Sequence, residues 1–141
     1  MTNMIDAGIQ RLQAIALACE DVKIKHAPDY PTDDAAVLPF SIAHLVNGSF
    51  QADNASTCRF LPIVGVDFHF SRVSVGNAYK QADLIAIEYA RRLAADPTLA
   101  GAVDTIVFPV SFQITPAEWD RVPTLMLRFS VPLKTLENPR T

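Results

Sequence analysis

The segment Val64-Gly65-Val66-Asp67-Phe68-His69-Phe70-Ser71 decides the fold class. Apolar Val64, Val66, Phe68 and Phe70 alternate with Gly65, Asp67, His69 and Ser71. Successive side chains on a strand point to opposite faces, so this alternation describes a strand with one apolar and one polar face. The period then changes. From Asn77 to Ala95, the residues Ala82, Ile85, Ala86, Tyr89 and Leu93 recur at steps of three and four, with Lys80, Glu88, Arg91 and Arg92 off that stripe. This is an amphipathic helix, and Pro97 prevents its continuation while Arg91 and Arg92 suit its negative C-terminal end. A half-buried strand feeding an amphipathic helix predicts a sheet with helices on its apolar face.

Upstream, Phe40 to Phe50 reads as a second strand, with Phe40, Ile42 and Val46 in one phase and Ser41, Ala43 and Asn47 in the other. Pro62 cannot donate to a ladder, so the start of the strand that contains it is expected at a bulge or an edge. The polar connector Gln51 to Thr57 is too long for a tight hairpin. The N-terminal segment Asn3 to Glu20 repeats Ile5, Ile9, Leu12, Ala16 and Cys19 at helical spacing, with Thr2 or Asn3 as cap and Asp6 near the positive end. Between that helix and the first strand lie a short strand-like stretch, Val22 to His26, and a loop, Ala27 to Pro39, that holds Pro28, Pro31, Asp33, Asp34 and Pro39.

Downstream of Gly101 the alternation returns twice. Ile106, Phe108, Val110, Phe112 and Ile114 form one strand face, and Leu125, Leu127, Phe129, Val131 and Leu133 another. Between them, Thr115-Pro116-Ala117-Glu118 carries the residues of a helix N-terminus, so a one-turn helix presenting Trp119 is expected at the hairpin tip. The tail from Glu137 is polar and expected to fray. The resulting order is helix, strand pair, helix, strand pair: an α+β two-layer domain spanning 1–141, an antiparallel sheet with both helices packed on one face. A βαββαβ arrangement would need a strand before the first helix, where only Met1 and Thr2 stand.

Composition limits the function classes. Of 141 residues 50% are hydrophobic and 19% charged, with a net charge of -3, so the chain can fill a core but lacks the diffuse basic field of a phosphate-neutralising protein. No apolar run approaches the ~20 residues of a membrane helix. Met1 to Glu20 carries Asp6, Gln10, Arg11 and Gln13 and does not read as a secretory leader. A soluble protein made in the cytoplasm is expected. Cys19 and Cys58 lack a partner at metal-ligand spacing and are read as free thiols.

No catalytic, metal or cofactor constellation stands out. Asp67, His69 and Ser71 share one strand face and have the residue types of a hydrolase triad, but same-face neighbours are about 7 Å apart, whereas a triad converges within ~3 Å. They are read as a solvated or interface-facing polar stripe. Asp33 and Asp34 are read as turn caps, and His26 and His44 as structural residues. The five glycines have neither P-loop nor dinucleotide spacing. Arg59-Phe60 and Phe70-Ser71-Arg72 are read as solvated strand faces rather than a nucleic-acid platform. The sheet's second face, with Asp67, His69, Ser71, Ser111, Gln113, Arg128 and Ser130 beside Ala43, Leu45, Val107 and Met126, is left without a cover. It is expected to meet water or a neighbouring subunit. Four residues emerge as interface candidates: Trp119 and Arg121 at the hairpin tip, and Phe50 and Arg59 flanking the long connector.

Over nearly its full length the chain resembles the tail terminator (minor tail) proteins of long-tailed bacteriophages. The likeness lies in the amphipathic N-terminal helix, the loop ending Leu38-Pro39-Phe40-Ser41-Ile42, the strand Val64 to Phe70, the Ala-rich helix from Asn77 and the closing hairpin. The resemblance implies a non-enzymatic virion protein that assembles in the host cytoplasm as a ring, usually hexameric in that family. Such a ring sits at the head-proximal end of the tail, caps the tube and ends its polymerisation. Its implied partners are further copies of itself, the tail tube protein and the head-tail connector protein, with DNA passing through the ring without being specifically bound. Two other readings remain beside it: a small intracellular α+β enzyme or ligand-binding domain with Asp67, His69 and Arg128 lining a pocket, and a head-to-tail connector (neck) protein.

Overall fold

The computed structural model describes residues 4–31, 37–54 and 57–137. The expected cap at Thr2 or Asn3 and the expected turn at Asp33 and Asp34 lie outside them. Two helices, α1 (Met4–Ala18) and α2 (Val75–Ala95), accompany five strands: β1 (Phe40–Ala52), β2 (Cys58–Ser71), β3 (Thr105–Ile106), β4 (Ser111–Trp119) and β5 (Val122–Glu137). The strands form one antiparallel sheet in the order β1-β2-β5, and β5 is paired along its far edge first by β4 and then by the short β3. The α+β class and the helix and strand order stand as read from the sequence, with five strands where four were expected.

The core forms where the two periodicities meet. Val64, Val66, Phe68 and Phe70 of β2 and Leu125, Leu127, Phe129, Val131 and Leu133 of β5 are buried in one cluster with Ile9, Leu12 and Ala16 of α1 and Ala82, Ile85, Tyr89 and Leu93 of α2. Both helices therefore cover the same sheet face. Phe68 sits at its centre, with the Tyr89 ring edge-on at 4.9 Å and the Phe129 ring at 6.1 Å. Each such side chain contributes on the order of 2 kcal/mol by leaving water. The Tyr89 hydroxyl donates to the Leu12 carbonyl at 3.1 Å and ties the two helices together, and burial pushes the phenol's pKa well up.

Strand β1 reverses the phase expected of it. Ser41 pairs with Phe68 and Ala43 with Val66, so these small residues face the helices while Phe40 and Ile42 lie on the opposite face. A polar contact accounts for the choice. Gln13 of α1 is 1% exposed; its amide donates to the carbonyls of Pro28 at 2.8 Å and Ser41 at 3.0 Å, and accepts from the Ser41 hydroxyl at 2.8 Å. With the other phase a phenyl or sec-butyl group would stand against Gln13 and leave its buried amide unsatisfied, at a cost of about 1–3 kcal/mol. The face predicted to hold Ala43 and Leu45 holds Phe40, Ile42 and His44 instead.

Three further expectations are corrected and one, at Pro62, is borne out. The connector Gln51 to Thr57 is shorter than read: β1 and β2 pair as far as Ala52 and Cys58, and Asp53 N–H donates to the Thr57 carbonyl. Of the two places expected for Pro62, a bulge or an edge, the strand takes the bulge, and does so in the middle of the sheet. The ladder accommodates it by breaking: β1 bulges between Leu45 and Asn47, and the β2–β5 pairing passes from Phe60 to Ile63. The strand expected from Ile106 to Ile114 is interrupted at residues 107–110, because Pro109 has no N–H to give a ladder. No helix forms at 115–118. Those residues belong to β4, and the hairpin turns at Asp120 and Arg121, both at positive φ, 50° and 66°, the geometry of a two-residue type I′ turn.

Beyond the core the β1–β2 hairpin runs on as an arm. Residues 45–52 are all exposed, and Gly48 is required there because a Cβ would stand 2.9 Å from the Pro62 Cα, a backbone atom that cannot give way.

Candidate functional site

On the sheet's second face, cross-strand register sets Asp67 opposite Arg128 and His69 opposite Met126. Arg128 Nε donates to Asp67 Oδ1 at 2.6 Å and Nη2 to Oδ2 at 2.8 Å, a two-pronged fork whose carboxylate side chain is 7% exposed. The ion pair holds the guanidinium above its ordinary pKa. His69 Nδ1 is 2.9 Å from the Thr124 hydroxyl. Its ring stacks on Phe40 at 5.0 Å, and Trp119 closes over both rings at 5.4 and 5.5 Å. Burial pushes the imidazole pKa down; the Asp67 charge opposes this and the Arg128 charge adds to it.

This end of the face is therefore closed. Asp67 and His69 are 5% and 4% exposed, which corrects the expectation of an uncovered polar stripe. The physical reason is that Trp119 shares this face and, with Phe40 and Ile42 beside it, covers the polar groups. Asp67 is fully engaged by Arg128, so neither it nor His69 is offered to a ligand.

The four candidate residues fall into two separate pairs. Phe50 and Arg59 lie on the arm. Phe50 is 70% exposed and stacked on its cross-strand partner Phe60 at 5.6 Å, while Arg59 reaches Asp53 at 3.1 Å. Trp119 and Arg121 lie at the other end of the sheet, about 40 Å away at ~3.3 Å per strand residue. Arg121 is exposed in the turn, but Trp119 is half-buried against Phe40 and His69, with its Nε1 buried and without a hydrogen-bond partner. Trp119 acts as a staple within its own chain.

Sequence reasoning missed a second exposed aromatic group. Phe108 and Phe112, assigned to the core face, are 50% and 52% exposed. They border a cavity of about 390 Å³ between α2 and the β4 edge, floored by Leu93 and Phe129. The signal available was Pro109, which breaks the strand just where helix cover ends. A matching apolar hollow of about 310 Å³ lies under the arm, bounded by Ile5, Leu45, Phe50 and Phe60. The two apolar regions flank the two outer strands, β1 and β4, on opposite sides of the sheet. Beyond the contacts of Ser41 with His26 and Gln13, no described residue pairs with the outer edge of β1, and none pairs with that of β4.

No protein-family profile matches the chain, and a search of curated proteins gives no match. Among the described residues no helix is long and apolar enough to cross a membrane.

Proposed function

We propose that the chain is a structural subunit that assembles head to tail into a closed ring and, in keeping with its resemblance to tail terminator proteins, caps a phage tail tube and joins it to the head connector. One observation carries this reading: two apolar, aromatic-bearing outer strands on opposite sides of one sheet. A patch on one side only would suit a two-fold dimer. Two different patches on opposite sides suit a heterologous contact, in which the arm of one copy meets the β4 edge of the next and repetition closes a ring. The burial of Asp67 and His69 favours a structural role over the enzyme or ligand-binding reading, which needs those groups open to a pocket. Partners of the tube and connector kind would meet the ring's two ends.

The test is absolute mass by light scattering over a concentration series, with negative-stain images. The wild type should give a closed ring of about six subunits. Phe50→Ser and Phe112→Ser should each abolish the ring without changing the far-ultraviolet circular dichroism. Mixed together they should form at most a sparsely populated dimer and nothing larger, because each variant retains one intact edge and only one contact can form. A wild type that stays monomeric at high micromolar concentration would overturn the reading.

A further inference from the structure

Three of the chain's four lysines converge on one pocket. Lys23 and Lys25 stand on the extended segment before β1, where Val22 and Ile24 are buried at 8% and 1% and the alternate residues point outward. Lys80 approaches from α2, and the three line a hollow of about 410 Å³ with Asn77, Gln81 and Asp21. The two segment lysines are about 7 Å apart along the chain.

The charge balance of this hollow is unusual for the molecule. Three lysines and one aspartate line it, an excess of two positive charges in a chain whose net charge is -3. None of the three lysines forms an ion pair among the described residues; the ion pairs present there all use arginine. Of the other acids on α2, Asp83 stands one turn from Lys80 but does not line the hollow, and the Glu88 carboxylate accepts from the backbone amides of Glu20 and Asp21 at 2.9 Å and pairs with Arg92. Like charges gathered in one hollow repel one another, and an anion of matching charge relieves that repulsion.

We propose that this pocket binds the phosphoryl group of a small phosphate ester. A phosphate monoester carries ≈ -1.5 to -2 charges and three acceptor oxygens, which matches the excess charge and gives each ammonium an oxygen. A carboxylate would leave one ammonium unmatched. The Asn77 and Gln81 amides supply neutral donors at the rim, and a volume of about 410 Å³ leaves room for the organic part of the ester beside the apolar side chain of Leu84. The site is independent of ring formation.

Calorimetric titration of the full chain tests this with ribose 5-phosphate, inorganic phosphate, a short single-stranded oligonucleotide and a tetraglutamate peptide. Ribose 5-phosphate should bind saturably. Lys23→Gln, Lys25→Gln and Lys80→Gln should each weaken it about 1.5- to 5-fold, the span of one exposed charge contact. Arg91→Gln, an equal charge change elsewhere on α2, should leave it unaltered. Equal affinity for inorganic phosphate would support a phosphoryl site whose source is the free anion. Tighter binding of the oligonucleotide, steeply salt-dependent, would overturn the proposal, because each backbone phosphodiester carries one negative charge and would leave an ammonium unmatched. Absence of saturable binding to all three phosphate probes, tetraglutamate binding as tightly as ribose 5-phosphate, or loss through Arg91→Gln equal to that through the lysines would overturn the proposal. Circular dichroism melts of each variant separate lost binding from lost folding.

Discussion

Replacing Arg128 with alanine is expected to cost the fold about 3 kcal/mol. In the native chain both oxygens of the Asp67 carboxylate accept from the guanidinium, at 2.6 and 2.8 Å, and Asp67 is 5% exposed. Removing one member of a buried pair leaves an uncompensated charge, for which the cost runs about 3–5 kcal/mol. The Arg128 side chain is itself 31% exposed, so water can enter the space it vacates and rehydrate part of the carboxylate, which places the expectation at the lower end. For a domain of this size that corresponds to a fall in Tm of roughly 9 °C. Urea unfolding followed by the fluorescence of the single tryptophan reads the change, because Trp119 lies against His69 on the same face; protein concentration must be held fixed in case association contributes. Adding Asp67→Asn to the Arg128→Ala chain should recover more than half of the loss by removing the stranded charge. The reasoning fails if Arg128→Ala costs less than about 1 kcal/mol, or if 1 M salt destabilises the wild type as much as the substitution does, since either result would describe a screened surface pair.

Two further outcomes follow from the same face and from the arm. His69 has a folded pKa below its unfolded value, so the unfolded chain binds the proton first as pH falls: the stability His69 provides is complete above about pH 6.5 and is lost as pH drops from there toward the folded pKa. Thermal melts between pH 7.5 and 5 should show this loss, and His69→Gln should flatten it; a wild-type Tm that does not change with pH in this window would sink the argument. Gly48→Ala should force β1 and β2 apart at the Pro62 backbone and lower stability by about 1–3 kcal/mol, whereas Gly76→Ala, with nothing within 4 Å of the added methyl, should change it by less than about 0.5 kcal/mol, as comparative urea titrations of the two variants would show.

What was legible in the sequence was what local periodicity controls. The β2 alternation, the α2 stripe and the β5 alternation each report one buried face, and all three are borne out because one core absorbs them. The phase of β1 was not legible: Phe40 and Ile42 have the stronger apolar pattern, and the residue that overrules them, Gln13, lies 27 positions earlier than Phe40. The hairpin between β4 and β5 was legible, but its two-residue turn at Asp120 and Arg121 was hidden for a related reason. Type I′ turns usually announce themselves by Asn-Gly or Asp-Gly, and here Asp-Arg adopts the geometry because the β4–β5 ladder closes on both sides of it. Thr115-Pro116-Ala117-Glu118 does have the local chemistry of a helix start, and cross-strand pairing with Leu125 and Met126 overrides it. Of the candidate residues, Phe50 was findable as an aromatic beside a polar connector. Phe112 was missed because its place in an alternating run says nothing about where helix cover stops, and the one mark of that place was Pro109 within the run.

The amount of apolar surface bears on how such a subunit could associate. Phe50, Phe108 and Phe112 are 70%, 50% and 52% exposed; at roughly 200 Å² per aromatic side chain they offer roughly 350 Å² between the two edges. A stable pairwise interface buries about 1,200 Å² or more. Even with the aliphatic side chains of the arm and the backbone donors of β1 and β4 added, one contact between two copies is marginal. Closure changes the balance. Each subunit of a ring holds two contacts at once, and the last contact to form is intramolecular, with an effective concentration far above that in solution. Open dimers and trimers lack that final contact and should be sparsely populated, so the same surfaces that are too small for a dimer favour a direct passage from monomer to ring.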